Sequence, residues 1–223
     1  MTKTETVKNY CKQLKLAYLS QEVDNIIMEA EKQKISYSEF VKKLMGDEVH
    51  YRKTKDQERR IKQADLPLDC NLECYDYSFF NGLKKQQLNQ LRELNWLEQN
   101  YNVVLMGPSG TGKTYIAAGL CLDAIKQGYR AYFKNMEDLI HILKMKDITR
   151  NAMAQYKRII KAHLLVIDDI MMFPVTGQET IAFFHLINEL HEKASVIITT
   201  NKSPKQWVDV IMTDAFSCNS LIK

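Results

Sequence analysis

Eight consecutive residues have the types and the spacing of a phosphate-binding loop. They are Gly107, Pro108, Ser109, Gly110, Thr111, Gly112, Lys113 and Thr114. The glycines allow backbone conformations that a Cβ disfavours, so successive N–H groups can converge on a polyphosphate. We expect Lys113 to reach the β- and γ-phosphates of a nucleotide and the Thr114 hydroxyl to ligate Mg²⁺. The segment therefore predicts a binding site for a nucleoside triphosphate.

Polar residues end two further apolar runs of strand length. The run 163–167 ends in Asp168 and Asp169, and the run 195–199 is followed by Thr200 and Asn201. Asp168 is the expected carboxylate on the Mg²⁺ side, acting through water, and Asp169 is placed to orient an attacking water. The Asn201 amide could contact the γ-phosphate or that water. The alternatives are that the two acids cap a turn and that Asn201 is ordinary turn chemistry.

The elements that must position these residues alternate between strands and helices. We predict strands over 102–106, 128–133, 163–167 and 195–199, and helices over 86–98, 115–125, 136–145, 152–162, 178–192 and 203–211. This alternation predicts an α/β fold with a parallel, doubly wound sheet. In such a sheet the nucleotide binds at the carboxyl ends of the strands.

The first part of the chain is predicted to be a small bundle of helices with a basic surface. Apolar periodicity and a capping box at Ser36 predict helices over 7–31 and 36–45. Residues 1–62 contain 14 basic and 10 acidic side chains, whereas the remainder contains 17 of each. Within the segment 52–62, a helix would gather cations that can neutralise DNA phosphates, namely Arg52, Lys55, Arg59, Arg60 and Lys62. The alternative is a solvated helix with internal ion pairs.

Composition indicates an intracellular protein. Hydrophobic residues make up 45% and charged residues 26% of the 223 positions. No run approaches the roughly 18 apolar residues of a membrane span, and the polar start is unlike a signal peptide. We therefore expect a cytoplasmic protein without membrane association. The five cysteines (Cys11, Cys70, Cys74, Cys121 and Cys218) lack the pairing of a zinc site and are expected to be free thiols.

Together, the three strand ends resemble the AAA+ ATPases, with Walker A at 107–114, Walker B at 164–169 and a sensor-1 position at Asn201. From about residue 10 to about residue 209, the chain more specifically resembles the IstB-like helpers of insertion sequences, which are related to the DnaC helicase loader. The sequence segments that support this resemblance are 36–40, 59–67, 72–79, 96–98 and 128–130, together with Trp207. The resemblance implies a Mg²⁺-dependent ATPase that binds DNA, self-assembles with ATP and regulates a transposase.

The resemblance also implies a domain plan and a difference at the carboxyl terminus. We expect a helical, basic domain over 1–66, a connector over 67–85 and an AAA+ nucleotide-binding domain over 86–223. The family has a fifth core strand and an arginine after the Asn201 position, but this chain has no arginine after Arg158. A truncated copy with a missing fifth strand and weak ATP turnover is therefore expected, because such an arginine changes the rate by about 10³–10⁵.

Three other functions are compatible with the same loop. A DnaC-like helicase loader would share the ATP site and recognise a helicase instead of a transposase. A small-molecule kinase would share the loop, but the paired aspartates, Asn201 and the basic segment favour an ATPase. An adaptor that binds ATP and DNA without efficient hydrolysis is the third alternative.

Overall fold

The computed structural model describes residues 2–67, 70–77, 83–170 and 177–203. The chain forms two compact units, residues 1–59 and residues 60–223. The division between them falls inside a long helix. The predicted boundary at residue 66 and the connector over 67–85 stay predictions.

The first unit contains three helices, α1 (Lys3–Gln13), α2 (Ala17–Gln33) and α3 (Tyr37–Ala64), the last of which continues into the second unit. Reciprocal bonds between Thr2 and Glu5 cap α1, and the same pattern joins Ser36 and Glu39 before α3. The expected helical region 7–31 is interrupted where Lys15 adopts a left-handed backbone conformation with φ 56°. By contrast, α3 extends far beyond the predicted 36–45 and includes the whole basic segment 52–62.

A buried carboxylate from α3 caps the beginning of α2. Glu48 accepts hydrogen bonds from the backbone N–H groups of Ala17, Tyr18 and Leu19 at 3.0–3.1 Å. It also accepts one from Arg52 at 2.8 Å. Burial acts to raise the pKa of Glu48, but the bonds from Arg52 and the backbone outweigh it, so the pKa lies below its usual value. The residue therefore stabilises the first unit as a charged cap.

The second unit is built on a parallel sheet. Its strands are β1 (Val103–Met106), β2 (Ala131–Asn135), β3 (Leu164–Asp168) and β4 (Ser195–Thr200), in the order β1-β4-β3-β2. All adjacent pairs are parallel. The apolar residues of β3 are fully buried, as expected of a central strand covered on both faces. This arrangement places the carboxyl ends of β1, β4 and β3 side by side.

Helices flank the sheet and form two apolar cores with it. They are α4 (Lys85–Arg92), α5 (Asn95–Glu98), α6 (Lys113–Lys126), α7 (Met136–Met145), α8 (Arg150–Ile159) and α9 (Gly177–Leu190), together with a short 3₁₀ turn at Leu72–Cys74. The single helix predicted over 86–98 is wrong, because Leu94 adopts a left-handed conformation with φ 61° that separates α4 from α5. Burial of Leu94, which is 1% exposed, favours this break.

The expected helix over 203–211, Trp207, Cys218 and the tail lie outside the described residues. Within the described ranges the sheet has four strands, and β1 stands at one edge beside β4. The expectation of a missing fifth strand stays a prediction.

Candidate nucleotide-binding site

The phosphate-binding loop connects β1 to α6. Gly110 and Gly112 have φ of 79° and 81°, a region in which L side chains are strained. The loop ends at the amino terminus of α6, where unpaired N–H groups and the helix dipole favour an anion. The Lys113 ammonium donates to the Pro108 carbonyl at 2.8 Å, so it lies over the loop. This position suits a cation that holds a phosphate oxygen against the loop.

Asp168 and Thr114 meet beside this loop. The Thr114 hydroxyl lies 3.0 and 3.1 Å from the two carboxylate oxygens of Asp168. Asp168 is 6% exposed, and burial raises the pKa of its carboxyl while hydrogen bonds from Thr199 and Thr114 act in the opposite direction. The structure thus brings together the hydroxyl and the carboxylate that the sequence assigned to Mg²⁺.

A second hydroxyl, that of Thr199 on β4, orients both aspartates. It donates to Asp168 at 2.5 Å and accepts from the backbone N–H of Asp169 at 2.8 Å. Asp169 has φ 52°, which turns the chain out of β3 and leaves its side chain exposed. The sequence analysis assigned no role to Thr199. The signal was a pair of threonines ending an otherwise apolar strand.

Asn201 follows β4 directly and is exposed. The preceding residue, Thr200, accepts a backbone hydrogen bond from Gly107 at 3.2 Å. Asn201 therefore lies at the same edge of the sheet as the first residue of the loop. The structure brings the predicted loop, the two aspartates and Asn201 to one edge.

Two adjoining cavities open at this edge. One, of about 450 Å³, is lined by Lys113, Thr114 and Asp169 together with Pro67, Cys70, Ser109, Gly110, Gly112 and Tyr115. The other, of about 310 Å³, shares Gly110, Gly112 and Tyr115 and is also lined by Cys74, Tyr75, Asp76 and Thr111. The first contains ionic groups suited to a polyphosphate. The second has tyrosines on its wall.

The segment 70–77 contributes that wall, a role that the sequence analysis missed. The Tyr115 hydroxyl donates to the Asn71 carbonyl at 2.5 Å, which fixes the segment against α6. The rings of Tyr75 and Tyr115 lie 5.9 Å apart between centroids. Aromatic side chains are common in the walls of small-molecule sites. The segment could have been found only by knowing that it folds back onto the loop.

These residues fit a magnesium nucleotide. Mg²⁺ is usually held by one or two carboxylates, with water and substrate phosphates completing its coordination. Asp168 and Thr114 offer such a partial set. Among the residues that the structure describes, no group of three or more His, Cys, Asp or Glu side chains is arranged for a metal. None of the described cysteines, Cys11, Cys70, Cys74 and Cys121, forms a disulfide.

The predicted DNA-binding residues all lie on α3. Three of them form ion pairs, Arg52 with Glu48, Lys55 with Glu58 and Arg59 with Asp56. Arg60 donates to the Gly128 carbonyl, and Lys62 is exposed. The ion pairs agree with the alternative of a solvated helix for this part of the segment. Their exposed guanidinium and ammonium groups remain able to exchange partners with an external anion.

Comparison with known proteins relates this arrangement to insertion sequences. The family model described as IstB-like ATP binding protein matches residues 9–222. The match continues beyond residue 209, so the tail that was expected to lie outside the family falls within it. A relative from Bacteroides fragilis, named as an ATP-binding protein of an IS21-like insertion sequence, is 42% identical over 92% of this chain and 78% of its own length. A second, from strain YCH46, is 41% identical over 84% of this chain and 98% of its own length.

Solved structures confirm the fold class. AMPPCP-bound DnaA from Aquifex aeolicus is 22% identical, with a TM-score of 0.55 over 64% of this chain and 45% of the DnaA chain. The DnaC helicase loader is 21% identical, with a TM-score of 0.50 over 66% of this chain and 86% of the loader. This likeness shows a parallel AAA+-type sheet with flanking helices. In the part of the chain described by the structure, no helix is long and apolar enough to cross a membrane.

Proposed function

Because this chain belongs to the IstB-like ATP-binding protein family, we propose that it is a Mg²⁺-dependent ATPase that binds duplex DNA and regulates a transposase. The observation that supports this proposal most strongly is the contact of Thr114 and Thr199 with Asp168 beside the phosphate-binding loop. A hydroxyl, a buried carboxylate and a helix amino terminus converge there. This is the set of groups needed to hold a metal-bound triphosphate.

Different residues of the site serve ATP binding and ATP hydrolysis. Loop N–H groups and Lys113 would hold the phosphates. Thr114 would hold the metal directly and Asp168 would hold it through water. Mg·ATP, when bound, supplies the phosphoanhydride bond and neutralises part of the charge on its oxygens. Asp169 lines the larger of the two cavities and is exposed, so it can orient a water toward the γ-phosphate. Asn201 at the same edge provides an amide for the same purpose.

Two matched substitutions test whether the loop binds the phosphates of ATP. Lys113→Ala removes the cation that lies over the loop, and we expect it to abolish measurable ATP binding. Lys126→Ala, at the exposed end of the same helix, makes the same chemical change away from the loop and should bind ATP normally. Binding is measured by titration with a fluorescent ATP analogue. Equal affinity of the two variants for ATP would contradict the proposed site.

Asp169→Asn separates the two activities of the site. Binding of ATP should be retained, because the phosphate contacts are made by the loop. Turnover should fall by roughly 10²–10⁴, the usual contribution of a group that positions or deprotonates the nucleophile. Turnover is measured by phosphate release with and without duplex DNA. Unchanged turnover would remove Asp169 from the mechanism, and absence of turnover in the parent chain would favour the adaptor alternative.

DNA and a transposase are the proposed macromolecular partners. The basic face of α3 supports binding to the phosphate backbone without base reading. The names of the insertion-sequence relatives favour a transposase over a helicase. We propose that ATP promotes head-to-tail assembly, because heterologous contacts between AAA+ domains generate rings or helices.

Co-purification tests the choice of partner. The transposase of the same insertion sequence should be retained by the ATP-bound protein on DNA, and a replicative helicase should not. Light scattering with and without ATP measures assembly. Preferential retention of the helicase would support a loader instead.

A further inference from the structure

Arg130 and His163 lie together at the edge of the sheet opposite the phosphate-binding loop. Arg130 immediately precedes β2 and His163 immediately precedes β3, and the first residues of these strands are register partners. The Arg130 carbonyl accepts hydrogen bonds from the backbone N–H of His163 at 2.8 Å and of Leu164 at 3.2 Å. The backbone of the sheet therefore fixes the two side chains next to each other.

The hydrogen bonds of this pair leave two donors facing each other. The backbone N–H of Arg130 donates to Nδ1 of His163 at 3.0 Å. Because a backbone N–H can only donate, the proton of the neutral imidazole must be on Nε2. Nε2 lies 3.2 Å from Nη2 of Arg130, which is also only a donor. These two N–H groups therefore need an acceptor that both can share.

A second guanidinium lies close to this pair. Burial, followed by the charges of Arg130 and Arg60, lowers the pKa of His163, so both arginines are within electrostatic range of the ring. Arg60 donates to the carbonyl of Gly128, two residues before Arg130. Within the described ranges, no acidic side chain forms an ion pair with Arg130, which is exposed. The cluster thus presents positive charge and hydrogen-bond donors to solvent.

We propose that Arg130, His163 and Arg60 bind a backbone phosphate of duplex DNA. A phosphate group offers several anionic oxygens, so one group can accept from both facing donors and from a guanidinium fork. Arg60 also belongs to the basic segment 52–62 of α3. That segment contains six basic side chains, which favours a polyanion over a free phosphate or nucleotide. The inference rests on the DNA binding proposed above and adds a contact outside the helix predicted from sequence.

The test compares two arginines in the full chain. Arg130→Gln and Arg150→Gln remove the same charge, and Arg150 is an exposed residue at the start of α8. Binding of a fluorescent 40-base-pair duplex is measured by anisotropy across a range of salt concentrations. The slope of log K against log salt is negative, and loss of one phosphate contact should make it shallower by about 0.9. If the parent and Arg130→Gln bind equally at 1 M salt, this change of slope makes the variant bind about eight-fold more weakly than the parent at 0.1 M salt. Arg150→Gln should change neither the slope nor the affinity.

The outcomes separate this inference from the proposed function. If the parent chain fails to bind duplex DNA, the proposed function and this inference both fall. If the parent binds with a steep salt slope and Arg130→Gln behaves like Arg150→Gln, only the phosphate contact is overturned. Competition with inorganic phosphate distinguishes the source. Phosphate that binds the parent but not Arg130→Gln, and that leaves the affinity of the parent for duplex DNA unchanged, would indicate a free-anion site and overturn the DNA assignment.

A second measurement uses the unmodified chain and does not depend on how the variants fold. Phenylglyoxal modifies accessible guanidinium groups, and the extent at each arginine is read by mass spectrometry. We expect duplex DNA to protect Arg130 while leaving the exposed Arg150 reactive. ATP analogue alone should not protect Arg130, because the nucleotide site is at the other edge of the sheet. Equal reactivity of Arg130 with and without bound DNA would overturn the inference.

Discussion

Replacing Gly119 with alanine tests how the segment 70–77 is held against the phosphate-loop helix. A Cβ built at Gly119 would lie 2.3 Å from Cγ of Leu72 and 2.8 Å from the carbonyl oxygen of Cys70. Leu72 is buried, and the Cys70 oxygen belongs to the backbone. Neither atom is the free end of a flexible side chain. The segment itself must therefore move to accept the methyl group.

The expected magnitude follows from two opposing terms. Alanine is better than glycine inside a helix by about 1 kcal/mol, whereas overpacking of a core costs about 1–3 kcal/mol. Gly46 provides a matched control, because it lies within α3 and a Cβ there would meet nothing within 4 Å. Gly46→Ala should raise the free energy of unfolding by about 1 kcal/mol. Gly119→Ala should leave it unchanged or lower it by up to about 2 kcal/mol.

Nucleotide binding should distinguish a local shift from a general loss of stability. Because Tyr75 and Asn71 belong to the displaced segment, we expect Gly119→Ala to weaken ATP binding about ten-fold, equivalent to about 1.4 kcal/mol. Gly46→Ala should leave ATP binding unchanged. Unfolding in urea is followed by circular dichroism, which reports on the helices of both units, and by fluorescence of Trp96 and Trp207, which both belong to the second unit. If Gly119→Ala gains as much stability as Gly46→Ala and binds ATP normally, the close packing described above is wrong.

Two further substitutions probe buried hydrogen bonds. Thr199→Val keeps the shape of the side chain but removes the donor to Asp168 and the acceptor for the Asp169 N–H. We therefore expect the free energy of unfolding of the second unit, measured in urea, to fall by about 1–3 kcal/mol. ATP turnover should fall more than ATP binding. An unchanged turnover would exclude Thr199 from orienting the aspartates. Glu48→Gln should cost the first unit about 1–2 kcal/mol at pH 7 by weakening the cap of α2. Folding lowers the pKa of Glu48 from 4.5, so this stabilisation is complete well above pH 4.5 and is lost as pH falls through the folded pKa. Urea unfolding between pH 3 and 7 should show this loss in the parent and not in the Gln variant.

The phosphate-binding loop and the strands could be predicted because they are encoded by short local patterns. Glycine spacing specifies the loop, and apolar runs specify buried strands such as β3. The helix breaks at Lys15 and Leu94 could not be predicted in this way. Neither position is glycine, and a left-handed conformation there is costly in isolation. Burial of Leu94, together with the bond from the Trp96 ring nitrogen to the Leu91 carbonyl at 2.9 Å, comes from tertiary packing.

The same limit applies to the site. Asp168 and Thr114 could be paired from motif spacing alone, whereas Thr199 becomes important only because β4 lies next to β3 in the sheet. The wall formed by Tyr75 depends on a segment that precedes β1 by more than twenty-five residues. Its contacts with α6 involve a backbone carbonyl and a glycine surface. Neither contact has a recognisable sequence pattern.

β3 joins the two proposed sites, with Asp168 at its carboxyl end and His163 just before its amino end. At about 3.3 Å per residue, these positions are separated by about 16 Å. The strand is fully buried between β2 and β4, and a close-packed interior deforms little. Coupling between ATP and DNA requires an element with two discrete arrangements that both ligands bias. The sheet is therefore a rigid frame that holds the sites apart, and any effect of ATP on DNA affinity must arise from the surrounding segments or from assembly of subunits.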